Sequence, residues 1–254
     1  MLSLIAALAL ADVVPLTRAH SHNDYEQSQP LEAALDHGFC SVEADVFLVD
    51  GKLLVSHDRK DLDSSGDLDS MYLKPLSKRM EKNGGGVYRT PVEFLLLVDI
   101  KADGAEVYEV LEQLLKPYRR HLTHFKSGKV ERRALTVILS GDRPTQLLAT
   151  QKERYAFIDG RPENLVPAKG SSNLMPLIST SWAPLFKWKG LGQMPPQERY
   201  KLSEIVRLAH RRGQKLRFWA TPEDPTVWRE LADACVDLIG TDRLDDLASF
   251  LTTH

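Results

Sequence analysis

Short apolar runs alternate along the chain with longer stretches in which apolar residues recur at helical spacing. The runs that predict strands are Leu16–His22, Ser41–Leu48, Leu95–Lys101, Leu135–Ser140, Tyr155–Asp159, Met175–Ser179, Leu216–Ala220 and Asp237–Thr241. The stretches that predict helices are Pro30–His37, Ala105–Tyr118, Pro196–Arg212, Pro225–Ala234 and Leu244–Leu251. Alternating strands and helices in this number predict an α/β fold, a (β/α)8 TIM barrel, which a chain of 254 residues can form as a single domain over residues 12–254.

One element interrupts the alternation. Asp50-Gly51 separates the second strand from Lys52–His57, which predicts a hairpin that returns beside that strand. Residues 58–91 are mostly polar, so we expect a short capping insertion there, with a helix over Tyr72–Lys82.

The first residues suggest a targeting segment. Leu2–Leu10 is apolar and overlaps Ala9-Leu10-Ala11, which resembles the hydrophobic part and cleavage site of a secretory signal, although no positive region precedes it. Residues 1–11 are therefore predicted to be a signal-peptide remnant, and the protein to be secreted or periplasmic. The alternative is a short N-terminal helix that covers the bottom of the barrel in a cytoplasmic protein.

The charge balance limits the kinds of partner that the sequence predicts, and the cysteine spacing indicates the state of the two thiols. Lys and Arg number 33 and Asp and Glu 35, so no strong positive field favours nucleic acid. The basic stretches at 116–120 and 207–215 predict solvated helix faces, with peripheral membrane contact as the minor alternative, and no specific protein partner is implied. Cys40 and Cys235 form no C-x-x-C pair, so two buried free thiols are favoured over a disulfide.

Carboxylates occur at alternate positions of two predicted strands. Glu43 and Asp45 share one strand face, and Asp99 and Lys101 share the corresponding face of the next strand, while the intervening residues are apolar. Buried charges at the strand ends of a barrel require a cation or a tight network of partners. The three carboxylates therefore predict a site for one divalent cation, Mg²⁺ or Ca²⁺, with a purely structural set of ion pairs as the alternative.

Three histidines flank these carboxylates in the predicted barrel. His20 and His22 end the first strand, and His57 ends the returning arm of the hairpin. Imidazole exchanges protons near neutral pH, so these residues are the acid/base candidates.

The ordered set of motifs resembles a known superfamily. The order is His…Glu-x-Asp…Asp-Gly…His-Asp…Asp-x-Lys, similar to that of the glycerophosphodiester phosphodiesterases and phosphatidylinositol-specific phospholipase C-like barrel enzymes. His-Ser-His-Asn-Asp-Tyr at 20–25 most resembles a fungal branch named for altered mitochondrial inheritance. The resemblance extends from about Arg18 to Thr241.

The resemblance implies a role for each matching residue. His20 and His57 would be the catalytic pair, one deprotonating the nucleophile and the other protonating the leaving oxygen. Glu43, Asp45 and Asp99 would hold the metal. Lys101 would contact the phosphate, and His22 and Asn23 would lie on the substrate side of the same site.

The chain departs from the typical pattern at two positions. Ser21-His22 replaces the usual Arg-Gly, and Asp99 replaces the usual Glu of the third metal ligand. Arg143 and Arg161 follow the fourth and fifth strands and could replace the lost arginine, with surface positions as the alternative. Trp219 ends a strand and is expected to line the substrate mouth.

The predicted function is metal-dependent hydrolysis of glycerophosphodiesters or lipid-linked phosphodiesters. A non-catalytic barrel that binds a phosphorylated ligand is a second hypothesis. A zinc amidohydrolase is a third, suggested by His20-x-His22 and Asp242, but the predicted ends of the fifth and sixth strands have no histidine.

Overall fold

The computed structural model describes residues 12–64, 66–165 and 171–253. The predicted signal-peptide remnant, residues 1–11, lies outside the described residues. The strands of the described part are β1 (Leu16–Ser21), β2 (Phe39–Val49), β3 (Lys52–Val55), β4 (Phe94–Ile100), β5 (His124–Lys126), β6 (Lys129–Glu131), β7 (Leu135–Gly141), β8 (Glu153–Arg154), β9 (Ala156–Gly160), β10 (Leu177–Ser181), β11 (Lys215–Trp219) and β12 (Leu238–Thr241). The α-helices are α1 (Glu32–Asp36), α2 (Lys74–Lys82), α3 (Gly104–Leu115), α4 (Thr145–Thr150), α5 (Pro196–Arg211), α6 (Pro225–Asp233) and α7 (Leu244–Thr253).

Eight parallel strands close into a barrel. Their order is β1, β2, β4, β7, β9, β10, β11 and β12, and β12 pairs with β1 to complete the ring. The predicted TIM barrel is therefore confirmed. One strand, β10, lies two residues further along than predicted and begins just after Pro176, which has no N–H to donate to the neighbouring strand.

The alternation of side chains divides the barrel into two apolar layers. Val42, Ala44 and Val46 face outward and belong to the large core beneath the helices. The inward positions of the lower half carry a separate apolar cluster, made by Leu95, Leu97, Ile138, Phe157, Leu177 and Leu238. Phe125 and Val130 of the β5–β6 hairpin pack against this cluster. The barrel is thus filled by side chains at its amino end, which leaves the carboxyl end for polar groups.

The predicted hairpin is present. β2 continues beyond the barrel and pairs antiparallel with β3, from Val46↔Val55 to Val49↔Lys52. Asp50 and Gly51 form the turn with φ of 48° and 75°, the left-handed conformation that a two-residue hairpin turn requires. The Ser56 N–H donates to the Asp45 carbonyl at 3.1 Å, which places His57 beside the carboxyl end of β2.

The segment after the hairpin supplies a rim and a helix. A short 3-10 helix, Arg59–Ser64, lies at the carboxyl end of the barrel, where Arg59 pairs with Asp103 at the end of β4. The predicted helix is present as α2, and it buries Leu76 and Met80 in the outer core.

Both cysteines are free thiols, as expected. Cys40 is buried at the start of β2, and burial raises the pKa of its thiol to about 12. The expectation that Cys235 is also buried is wrong, because it lies exposed in the turn before β12.

No helix in the described residues is both long enough and apolar enough to cross a membrane.

Candidate active site

The carboxyl ends of β2 and β4 bring the predicted carboxylates together. Asp45 and Asp99 are direct partners in the parallel register of the two strands, and Glu43 lies one pleat deeper on the same face of β2. Glu43 is 6% exposed and Asp45 only 1%, so each requires a partner to remain ionised.

Asp45 is the centre of a tight polar cluster. Its Oδ2 accepts from Tyr25 Oη at 2.7 Å, from His57 Nδ1 at 2.9 Å and from Lys101 Nζ at 2.7 Å. Lys101 Nζ also donates to Asp99 Oδ2 at 2.7 Å. One ammonium group is therefore shared by two carboxylates.

The charges in this cluster shift one another's protonation. Burial alone would lower the pKa of Lys101, but hydrogen bonds to Asp45 and Asp99 outweigh it and the pKa lies above its ordinary value. Burial raises the pKa of Asp99, and the nearby Lys101 offsets only part of that rise. Lys101 is thus held firmly charged.

Glu43 lies in a second group, between His20 and Arg217. Its Oε2 accepts from Arg217 Nη2 at 2.9 Å and from His20 Nε2 at 3.2 Å. Burial would raise the pKa of Glu43, but the Arg217 charge and the hydrogen bond from His20 lower it well below its ordinary value. Glu43 is therefore ionised across the physiological pH range.

His20 is inside the site but fully enclosed. Its Nδ1 lies 2.8 Å from Ser41 Oγ while Nε2 contacts Glu43, and none of the residue is exposed. Burial and then the Arg217 charge lower the pKa of His20 to about 4, so the imidazole is neutral at pH 7. Proton exchange with a substrate therefore requires the contact with Glu43 to open first.

His57 has the more accessible position. Its side chain is 55% exposed at the rim, and Nδ1 donates to the Asp45 carboxylate. Since this bond fixes the ring and occupies Nδ1, Nε2 is the nitrogen that can exchange a proton with a substrate.

The structure places His22 at the mouth and Asn23 in a turn. His22 Nδ1 contacts Asp242 Oδ1 at 2.8 Å, and both side chains are exposed. Asn23 has a left-handed backbone, with φ of 42°, and its carbonyl accepts from the Glu26 N–H at the start of a short 3-10 helix, Asp24–Glu26. These contacts give Asn23 a turn-forming role, and its contact with substrate stays a prediction.

The two candidate arginines lie near each other on the β7–β9 side of the mouth. Arg161 Nη1 donates to the buried Asp159 at 2.8 Å. Burial and the charge of Arg161 lower the pKa of Arg143, whose Nη1 donates to the Gly141 carbonyl at 3.0 Å. Within the part of the chain that the structure describes, neither arginine donates a hydrogen bond to Asp45. Their binding to the phosphate of a substrate therefore stays a prediction.

Four residues of the site were not anticipated from the sequence: Tyr25, Ser41, Asp159 and Arg217. Arg217 carries the clearest sequence signal, because it alternates with the apolar Leu216 and Phe218 in a predicted strand, as Glu43 alternates with Val42 and Ala44. Tyr25 lies in the short 3-10 helix Asp24–Glu26, which has too few residues for a periodic pattern to indicate the direction of the side chain.

The donor chemistry of the site suits a hard divalent cation. Glu43, Asp45 and Asp99 offer oxygen ligands on one face of neighbouring strands. Across the described residues, however, no three acidic, histidine or cysteine side chains already converge as a metal cluster. Lys101 and Arg217 pair with the carboxylates instead, so a bound cation would have to share or displace these partners.

Comparison with known proteins identifies consistent relatives. Residues 8–159 match the AIM6-like phosphodiesterase domain family. Altered inheritance of mitochondria protein 6 of Eremothecium gossypii is 33% identical, over 94% of this chain and 70% of its own length. A homolog from Arthroderma benhamiae is 27% identical, over 91% of this chain and 82% of its own length.

Solved structures support the same fold. A glycerophosphodiester phosphodiesterase from Parabacteroides distasonis superposes with a TM-score of 0.60 at 14% identity, covering 94% of this chain and 98% of the other. A glycerophosphodiester phosphodiesterase from Agrobacterium tumefaciens gives 0.53 at 17% identity, covering 93% and 100%. At these identities the similarity concerns the barrel and not the substrate.

Proposed function

Because this chain belongs to the AIM6-like phosphodiesterase domain family, we propose that it hydrolyses glycerophosphodiesters or lipid-linked phosphodiesters with one divalent cation, Mg²⁺ or Ca²⁺. The observation that carries the proposal is the cluster at the barrel mouth, in which Asp45 orients His57 and shares Lys101 with Asp99. It combines an accessible acid/base, a fixed positive charge and hard oxygen ligands, which phosphodiester cleavage requires.

The proposed reaction needs two proton transfers. A water molecule, or a neighbouring hydroxyl of the substrate, attacks phosphorus while the bond from phosphorus to the leaving oxygen breaks. The nucleophile loses a proton to one histidine, and the leaving oxygen gains a proton from the other. We assign the leaving oxygen to the exposed His57, whose ring Asp45 holds in place.

His20 is assigned to the nucleophile. Its low pKa keeps it neutral at pH 7, which is the form that accepts a proton. The His20–Glu43 contact, at 3.2 Å, is longer than the His20–Ser41 contact at 2.8 Å, so it is the one we expect to open when substrate binds. The single proton of the neutral ring then lies on Nδ1, which donates to Ser41 Oγ, and Nε2 is left free to accept the proton of the nucleophile.

Glu43, Asp45 and Asp99 would hold the cation. When bound, it would act as a Lewis acid on the phosphoryl oxygens. Lys101 supplies the chain's own positive charge at the same position, and its two carboxylate partners keep it protonated.

The test is an assay of headgroup release from a panel of glycerophosphodiesters, lysophospholipids and sphingomyelin, with Mg²⁺, Ca²⁺ or a chelator. We expect cation-dependent turnover that falls by about 100-fold or more in His57→Ala and in His20→Ala. His37→Gln is the matched control, because His37 contacts Ala33 and Asp245 near the start of β2, at the opposite end of the barrel. Turnover that survives both chelation and His57→Ala would contradict the proposal.

A phosphate-binding barrel without turnover is the second candidate. It is favoured by one observation, that Asp45, Asp99 and Glu43 each already contact a cationic side chain, either Lys101 or Arg217. Binding of the panel without cleavage, under every cation condition, would support it. The amidohydrolase alternative receives no support, because the described ends of β9 and β10 carry no histidine.

A further inference from the structure

A small pocket lies beside the His20–Glu43 pair, between the carboxyl ends of β1, β11 and β12. Its volume is about 110 Å³, and His22, Arg217, Trp219, Glu223 and Asp242 contribute to its walls. A space of this size suits a small headgroup better than a long acyl chain. It therefore concerns the alcohol on one side of the phosphodiester.

The inner wall of this pocket is an arginine with unused donors. Arg217 is 4% exposed, and Nη2 donates to Glu43 at 2.9 Å, but Nε and Nη1 have no partner among the described residues. The buried Asp159 also experiences the Arg217 charge, yet it accepts its hydrogen bonds from Arg161 and Ser140. Buried donors are rarely left unpaired, so the two N–H groups are available to an anionic ligand.

The outer wall has the opposite character. Trp219 is 44% exposed and stands two residues after Arg217 on the same face of β11, about 7 Å further along the strand. Glu223 Oε1 accepts from the Asp242 N–H at 2.6 Å, and Asp242 Oδ1 accepts from His22 at 2.8 Å. An exposed aromatic ring beside two carboxylates attracts a cation.

We propose that this pocket is the headgroup subsite and that it selects phosphodiesters of a cationic amino alcohol. Arg217 binds a non-bridging oxygen of the phosphate. Trp219, Glu223 and Asp242 bind an ammonium or quaternary ammonium group on the alcohol, a short spacer away from the phosphate. The inference rests on the proposed function, because it assigns the substrate class of the same site.

The test uses two substrates that differ only in charge. One is glycerophosphocholine, and the other is its analogue in which a tert-butyl group replaces the trimethylammonium group. We expect wild-type kcat/KM to favour the charged substrate by about 10-fold or more. A ratio near one would overturn the subsite.

Variants separate the two ends of the pocket. Glu223→Gln keeps the acceptor for the Asp242 N–H but removes the charge, so it should lower kcat/KM for the charged substrate several-fold more than for the neutral analogue. Arg217→Gln should lower kcat/KM for both substrates by about 10- to 100-fold with the ratio retained, and Arg217→Lys should lower it less. Glu106→Gln, in the exposed first turn of α3, is the matched control. Equal losses on both substrates in Glu223→Gln would contradict the assignment.

A binding measurement keeps the subsite independent of turnover. Phosphocholine and 3,3-dimethylbutyl phosphate are titrated into each folded variant, followed by tryptophan fluorescence and calorimetry. Preferential binding of phosphocholine that requires Arg217, without turnover of any diester, would sustain the subsite and refute the proposed function. Turnover of diesters with no preference for phosphocholine would sustain the function and refute the subsite.

Discussion

Lys101 is the side chain on which the charge balance of the mouth depends. Its ammonium group lies 2.7 Å from one oxygen of Asp45 and 2.7 Å from one oxygen of Asp99, and its side chain is 23% exposed. Removing one member of a largely buried ion pair costs more than the pair itself contributes, because the remaining charge loses its partner.

Lys101→Met is therefore predicted to lower the free energy of unfolding by about 2–4 kcal/mol, since two carboxylates lose their cation. Millimolar Mg²⁺ or Ca²⁺ should restore part of this loss by taking the place of the ammonium group. Urea unfolding with and without the cation measures both effects, and Lys116→Met provides an exposed-lysine control. A loss that no divalent cation reverses would contradict the predicted ligand set.

Asp24 is a buried carboxylate that stabilises the loop after β1. Its Oδ2 accepts from the Leu31 N–H at 2.6 Å and from Tyr72 Oη at 3.0 Å. These bonds hold Leu31 at a φ of 64°, which costs energy for a residue with a side chain, and they connect the first loop to the segment before α2.

The contribution of Asp24 to the stability of the fold depends on pH, and the raised pKa of its carboxyl group gives the direction of this dependence. Burial raises its pKa above 3.8, so between 3.8 and the folded-state value the native protein holds a proton that the unfolded chain has released. Its contribution to stability therefore falls as pH rises through that window. Urea unfolding of wild type and Asp24→Asn at several pH values should show the wild type losing stability relative to the variant as pH increases. The opposite slope would contradict the assignment.

At the scale of elements, alternation along strands predicts most of the site. It places Glu43, Asp45, Asp99 and Lys101 inside the barrel because each is flanked by apolar residues on a predicted strand. The same rule places Arg217 inside the barrel, because the apolar Leu216 and Phe218 flank it on β11. Strand alternation cannot predict where side chains in loops point. Contacts such as that of Arg161 with Asp159 depend on backbone turns, which have no regular period.

Sequence patterns also miss how tightly a side chain is enclosed. His20 and His57 are equivalent as strand-end histidines, but one is fully buried and the other 55% exposed. The difference comes from Ser41 and Glu43 on the neighbouring strand, which contact both nitrogens of His20. Burial of this kind depends on strand register across the barrel, which no single run of residues encodes.

A substitution in the turn of the β2–β3 hairpin is predicted to lower turnover, although the turn itself lies away from the site. Gly51 has a φ of 75° and no atom near the position of a Cβ, so Gly51→Val introduces backbone strain without a clash. We expect a loss of about 1–2 kcal/mol in the free energy of unfolding and reduced turnover, because the hairpin positions His57. Asp50→Asn should be tolerated, since asparagine adopts the left-handed conformation readily. Denaturant titration and the diesterase assay measure the two effects.

At the scale of the whole molecule, the mouth combines residues from distant parts of the chain. Glu43 on β2 pairs with Arg217 on β11, and His22 after β1 pairs with Asp242 after β12. These pairs exist only after β1 and β12 have closed the ring. Binding at the mouth should thus stabilise the complete barrel.

Accordingly, millimolar Mg²⁺ or Ca²⁺ is predicted to raise the thermal unfolding temperature of the wild type by several degrees, because ligands that only the folded barrel brings together would bind the cation in the folded state alone. Asp45→Asn and Asp99→Asn should abolish the shift by removing ligands, and Glu106→Gln should retain it. Differential scanning fluorimetry with a chelator as baseline measures this. Equal shifts in all variants would indicate non-specific cation binding instead.

The two cysteines differ in exposure, so one of them can be labelled selectively. Cys235 is exposed in the turn before β12, at the amino ends of the strands and opposite the mouth, whereas Cys40 is buried with a pKa raised to about 12. A maleimide at neutral pH should therefore modify Cys235 alone. The folded protein can then be attached to a sensor chip or a fluorophore in one orientation, with the mouth facing the solution and open to vesicles or soluble diesters.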